Sequence, residues 1–202
     1  MTGVHGILLT GGSSARMSSP KALLQIAGRT LAQRAADALG SVADPVVAVG
    51  IDARLGLECV EDPQKGPLWA LRAGYERLEE MSCAGRVLLL GCDLPLVNTG
   101  LLALLAEQLD GYDAAVPVVE GQPQPVAACY APYVGAMLKD PHARPGLNTA
   151  DLRSMKDLLG LISVRFVPPE VWQLVAADQA LLDVNTPADL RRARQLAGGP
   201  AS

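Results

Sequence analysis

The stretch LLTGGSSARMSSPKALL, Leu8 to Leu24, opens as a buried strand and closes on the approach to a helix. Between these ends lie the paired glycines Gly11 and Gly12, four serines, and the cations Arg16 and Lys21. Upstream, Val4 to Thr10 is a short apolar run. Downstream, Thr30 to Val42 places Leu31, Ala35, Leu39 and Val42 on one helical face, so the loop joins a strand to a helix. Glycines without a Cβ let backbone N–H groups approach a ligand, and that geometry suits phosphate oxygens. Lys21 and Arg16 add permanent positive charge to the same loop. A surface turn uses glycine and serine as well, but it has no need of two cations at the carboxyl end of a strand.

The remainder repeats the alternation of strand and helix. PVVAVGI (Pro45 to Ile51) and RVLLLGC (Arg86 to Cys92) are continuous apolar runs of the kind that parallel strands show when both faces are covered. Leu68 to Met81 reads as a helix between them. Asn98 or Thr99 can cap another helix, with Leu101, Leu102, Leu105 and Leu109 on one face. DAAVPVV and PVAACYA read as two further strands joined by the turn-rich EGQPQ (Glu120 to Gln124), a hairpin-like excursion. TPADL (Thr186 to Leu190) offers a hydroxyl cap, a proline at the first helical position and an acid three residues after the cap, so a last helix runs to about Leu196. The expectation is an α/β, three-layer, Rossmann-like fold with a mostly parallel sheet, and ligands outside the carboxyl ends of its strands. Residues 1–202 read as a single domain, with 198–202 a frayed tail.

Composition narrows the partners. A formal net charge of -4 gives no global basic field for nucleic acid or an anionic membrane. An aromatic content of 3% leaves few platforms for stacking bases. A small-molecule partner is expected, with no nucleic acid and no membrane. Cys59, Cys83, Cys92 and Cys129 fall in apolar stretches without Cys-x-x-Cys spacing, and neither His5 nor His142 completes a zinc pattern; free, mostly buried thiols are expected. The N-terminus carries no basic segment followed by a long apolar run, so the cytoplasm is the expected compartment.

Neither Gly-x-Gly-x-x-Gly nor Gly-x-x-x-x-Gly-Lys-Ser/Thr occurs in the opening loop. The stretch instead resembles the signature of nucleotidyltransferases related to molybdenum cofactor guanylyltransferase, whose pattern is Leu-Ala-Gly-Gly-x-Ser-x-Arg-Met-Gly followed by Lys-Ala. It departs at Ser18, where glycine is usual, and at Pro20, where aspartate often precedes the lysine. Three later stretches carry the same likeness. EDPQKGPLWAL (Glu61 to Leu71) resembles the segment against the base and ribose. LLLGCDLPL (Leu88 to Leu96) resembles the Pro-Cys-Asp-x-Pro motif, with Gly91 in place of the first proline. LLDVNTPADL (Leu181 to Leu190) resembles Asn-x-Asn-Thr-Pro-x-Asp-Leu, with Asp183 in place of the first asparagine. Weaker likenesses, at QPQPVAACY (Gln122 to Tyr130) and at RSMKDLL with Arg153 and Lys156, concern the acceptor; a solvated face is the better account of those two cations.

The resemblance implies a Mg2+-dependent transfer of GMP from GTP to molybdopterin or its molybdenum-loaded form, with release of pyrophosphate. It implies catalytic roles for Arg16, Lys21 and Asp93. Nucleotide contacts are implied at Leu9, Thr10, Gly11, Gly12, Lys21, Asp62, Gly66, Pro67 and Leu68, and acceptor contacts at Asp183 and Asn185. Asp93 is the implied metal ligand, since a hard cation prefers carboxylate oxygen. Contacts with other cofactor-biosynthesis proteins or with recipient molybdoenzymes are also implied. The Pro20-Lys21 pair keeps a CTP-dependent cytidylyltransferase for the same acceptor open. A sugar-phosphate nucleotidyltransferase ranks below it, and a non-catalytic module that binds nucleotide or cofactor is the alternative from another class.

Overall fold

The computed structural model describes residues 3–11, 20–140, 142–143 and 149–198. Gly12, Arg16, Ser18 and residues 199–202 of the expected tail lie outside them. In chain order the elements are β1 (Val4–Leu9), a 3-10 turn (Lys21–Leu23), β2 (Gln25–Ile26), β3 (Arg29–Thr30), α1 (Leu31–Gly40), β4 (Val46–Val49), β5 (Glu58–Val60), α2 (Pro67–Glu80), β6 (Arg86–Gly91) and α3 (Thr99–Glu107). There follow β7 (Ala114–Val119), β8 (Gln122–Pro123), β9 (Ala127–Tyr130), α4 (Pro132–Lys139), α5 (Met155–Leu161), β10 (Val164–Val167), α6 (Pro169–Trp172) and α7 (Pro187–Ala197).

The main sheet has the order β10-β7-β9-β6-β1-β4-β5, with β8 paired to β7 as a hairpin. All strands along that path run parallel except β9, which is inserted antiparallel between β6 and β7. Helices α2, α4 and α5 cover one face, and α1 and α3 the other. The three-layer α/β expectation therefore holds. The covered faces explain the sequence: every residue of β4, and Val87 to Gly91 of β6, is buried, so these strands read as unbroken apolar runs. The excursion at Glu120 to Gln124 is the β7-β8 turn, where Glu120 and Gly121 take φ of 49° and 75°. That pair of positive φ values is what a tight hairpin requires.

A second, smaller core fixes the site. The β2-β3 hairpin and α7 bury Ile26, Leu31, Val184, Leu190 and Ala193 together. Arg194 Nε also donates to the Gln25 carbonyl at 3.0 Å. Burial of these five apolar side chains holds the C-terminal segment against the residues that follow the opening loop, although more than 150 positions separate them.

Candidate active site

The site lies where β1, β4 and β6 end. Thr10 is buried, and its hydroxyl donates to the carbonyls of Val49 at 3.3 Å and Ile51 at 3.0 Å. The amides of Thr10 and Gly11 both donate to Val49 O, at 2.9 and 3.2 Å, and the Leu9 carbonyl accepts from Cys92 N at 3.0 Å. The expectation that the Gly11 amide points at phosphate is corrected here: it is used in extending the sheet. Gly11 is glycine for a different reason. A Cβ there would stand 2.1 Å from Asp62 Oδ2, and one on Gly50, itself at φ +135°, would stand 2.2 Å from the Gly11 nitrogen. Two backbones and a carboxylate meet where no side chain fits.

Asp62 Oδ1 accepts from Gln64 N at 2.8 Å, which shapes the turn into α2. Gly66 caps that helix at φ 98°, a conformation that favours glycine, and Pro67 occupies its first position. The Leu68 side chain is buried in the core, so only its backbone is available to a nucleotide. Lys65 Nζ lies 5.4 Å from the centre of the Trp69 ring, and the Arg72 guanidinium 5.8 Å from it.

Asp93 follows β6 in a turn closed by Leu94 N donating to Gly91 O at 3.2 Å. Its backbone is tied to the C-terminal segment, since Val184 N donates to Asp93 O at 2.8 Å. Arg34 Nε donates to Pro95 O at 3.1 Å and anchors the far side of the turn to α1. Lys21 Nζ lies 3.4 Å from Asp93 Oδ2 and 2.5 Å from Asn185 Oδ1. Three residues 72 and 164 positions apart along the chain thus share one polar cluster. Asn185 is held from behind by α7: the Asp189 carboxylate accepts from Asn185 N at 3.0 Å, from Thr186 N at 2.7 Å and from Thr186 Oγ1 at 2.9 Å. These bonds, with the Thr186 hydroxyl first, hold the Asp189 carboxyl below the usual range.

Asp183, two residues before Asn185, is half-buried, and burial pushes its carboxyl up to about 6. The neighbouring Asp93 charge adds to the rise, and Lys21 opposes it. Two carboxylates and an amide oxygen at a sheet edge form an all-oxygen donor set, the chemistry a hard divalent cation takes, and crowding of like charge is what such an ion relieves. No group of three or more His, Cys, Asp or Glu surrounds this point among the described residues, so substrate oxygens and water would complete the shell.

Other expected residues stay apart. Arg153 donates through Nη1 to the carbonyls of Ala150 and Leu152, and Lys156 is exposed on α5, within the helix layer over α2. The thiols are all free, but Cys59 is exposed and Cys83 half-buried, so only Cys92 and Cys129 fit the expectation of burial. β5 is an edge strand too short to shield Cys59. Arg34, Gly50, Gly91 and Asp189 were not among the expected residues. Asp189 carried a signal as the acidic member of a helix cap, and Gly91 as the departure from the motif's first proline, whereas Arg34 and Gly50 carried none.

Residues 6–157 match the family model described as MobA-like NTP transferase domain. A protein of Pelotomaculum thermopropionicum, described as a probable molybdenum cofactor guanylyltransferase, is 32% identical over 203 residues, covering 95% of this chain and 92% of its own. A Bacillus cytotoxicus protein with the same description is 29% identical, covering 86% and 88%. The crystal structure of molybdopterin-guanine dinucleotide biosynthesis protein A from Archaeoglobus fulgidus superposes with a TM-score of 0.76 at 22% identity, covering 97% of this chain and all of its own. With its sheet order, its polar edge and these likenesses, the chain belongs to the MobA-like NTP transferase family.

Proposed function

We propose that this protein transfers GMP from GTP to molybdopterin or its molybdenum-loaded form, releasing pyrophosphate. The observation that carries the reading is the convergence of Lys21, Asp93 and Asn185 at the sheet edge, in a chain whose relatives are named molybdenum cofactor guanylyltransferases. Attack by the acceptor's phosphate on the α-phosphorus demands that two anions meet and that charge on the departing pyrophosphate be stabilised. Lys21 supplies a cation at that place, and the same role is assigned to Arg16, which lies outside the described residues. Gly66 and Pro67 bring backbone close to the base, and Asp62 faces the ribose from beside Gly11. Asn185 and Asp183 orient the acceptor.

Magnesium is the ion we assign to Asp93, with Asp183 beside it; when bound it would neutralise phosphate charge and polarise the phosphoryl oxygens. Cys92, next to Asp93, takes no chemical part, because burial holds its thiol at about 12. Among the described residues no helix is long and apolar enough to cross a membrane. We take residues 1–202 as one nucleotidyltransferase domain acting in the cytoplasm, with molybdoenzymes or their cofactor-biosynthesis proteins receiving the product.

The test is pyrophosphate release with molybdopterin as acceptor and GTP, CTP or ATP as donor. Release with GTP at a rate at least tenfold above the others is expected. A preference for CTP, the alternative that Pro20 before Lys21 keeps open, would move the assignment to cytidylyl transfer. No release with any of the three would leave a binding module.

A further inference from the structure

We propose that Lys21 serves as the resting counter-cation of the metal site, so that divalent ion and nucleotide bind together rather than in sequence. The inference rests on the reading of Asp93 as the metal ligand. Lys21 sits on the 3-10 turn, where Leu23 N donates to Pro20 O and Leu24 N to Lys21 O, each at 3.0 Å. Its ammonium reaches both Asp93 Oδ2 and Asn185 Oδ1, and the two side chains of the ion pair are only 20% and 31% exposed. Asp183 and Asp189 also feel its charge. The oxygens it holds are those a hard cation would take. A second cation arriving alone therefore competes with an ammonium already within contact distance, in a site where water screens incompletely. A triphosphate changes the balance, because it gives the ammonium another anion to face and frees Asp93. Metal and nucleotide then each strengthen the other's binding by the same factor.

The probe is Mn2+, titrated by electron paramagnetic resonance against the full chain with and without GTP. Wild type is compared with Lys21→Met, Lys21→Gln and the charge-preserving Lys21→Arg, and each of the four is measured both with and without Asp93→Asn. Without nucleotide, Lys21→Met and Lys21→Gln should bind Mn2+ on the order of tenfold more tightly than wild type, and Lys21→Arg should stay near it. Asp93→Asn should erase the gain. With GTP present, the enhancement of Mn2+ affinity should be about tenfold smaller in Lys21→Met than in wild type. If both uncharged variants fold, bind Mn2+ alone no better than wild type, and still bind Mn2+ with GTP through Asp93, the counter-cation role is overturned while the metal-site reading stands. If Asp93→Asn leaves Mn2+ binding with GTP untouched in wild type, the metal-site reading falls and the role of Lys21 falls with it.

Discussion

Gly91 stands where the Pro-Cys-Asp-x-Pro motif that this stretch resembles has its first proline, and the structure turns that departure into a measurable effect. An added Cβ would lie 2.5 Å from Asp93 Oδ1, 3.7 Å from Asp93 Cγ and 3.8 Å from Val126 Cγ2, so among the described residues the severe conflict is with the tip of the Asp93 carboxylate. The Gly91 amide, which donates to Val126 O at 2.8 Å, survives replacement by alanine. Restoring an ordinary contact of roughly 3.4 Å moves Oδ1 by about 1 Å. Stability changes little: fewer unfolded conformations favour the variant by about 0.4–1 kcal/mol, and a carboxylate pushed off its rotamer costs about 0.5–1.5 kcal/mol. The net is within about 1 kcal/mol, a Tm change of no more than about 4 °C for a chain of this size. Misplacing a reacting group by about 1 Å can cost on the order of 100-fold in rate, so kcat/KM for GTP-dependent pyrophosphate release should fall by about 30- to 100-fold. Both are read on one preparation of Gly91→Ala, by scanning calorimetry and a coupled pyrophosphate assay. Turnover within threefold of wild type at an unchanged Tm would refute the claim that the position of this carboxylate limits the reaction.

The helix cap behind Asn185 can be dissected. Thr186→Ala should lower stability by about 1 kcal/mol yet leave the Asp189 bond to Asn185 N in place, whereas Asp189→Ala removes both; only the latter should reduce kcat/KM beyond tenfold at a similar loss of Tm. Asp183, raised in the fold to about 6, prefers to be protonated there, so the native state binds more protons than the unfolded chain between the ordinary carboxylate range and that value. Stability conferred by this group is therefore lost as pH rises through 6. Asp183→Asn, melted in EDTA, should match wild type near pH 4 and exceed it by a few degrees at pH 7.5; equal Tm at both pH values would contradict the assignment. Burial pushes the thiols of Cys92 and Cys129 up to about 12, so a thiol reagent at pH 8 should titrate no more than Cys59 and Cys83 in native protein, and all four thiols in denaturant.

Most of the scaffold is written in local pattern. The runs at Val46–Val49 and Arg86–Gly91 announce buried parallel strands, and the caps Thr30, Asn98 and Thr186 each precede the helix they begin. Elements whose identity depends on tertiary context were not legible. β5, exposed at two of its three residues, and β10, with Arg165 and Phe166 facing solvent, are edge strands lacking the apolar run of the centre. The antiparallel insertion of β9 beside β6 follows from the return of the β7-β8 hairpin, which sequence reads only as a turn. The site divides in the same way. Asp93 and Lys21 are visible because each ends or begins an element at the ligand edge. Their meeting with Asn185 is not, because it depends on Ile26, Leu31, Val184, Leu190 and Ala193 closing a second core across the chain. Gly11 shows the opposite case, where the residue type was read correctly but its reason was not, since the amide is used by Val49 and the missing Cβ makes room for Asp62.

The central claim is that Asp93, held between Lys21 and the Val184 amide, organises nucleotidyl transfer. The most direct measurement is magnesium-dependent pyrophosphate release from GTP and molybdopterin by Asp93→Asn, an isosteric change that keeps the backbone bond and removes the charge. Loss of turnover by about 1000-fold or more, with a Tm within a few degrees of wild type, is the predicted result. Undiminished turnover by the folded variant would contradict the account.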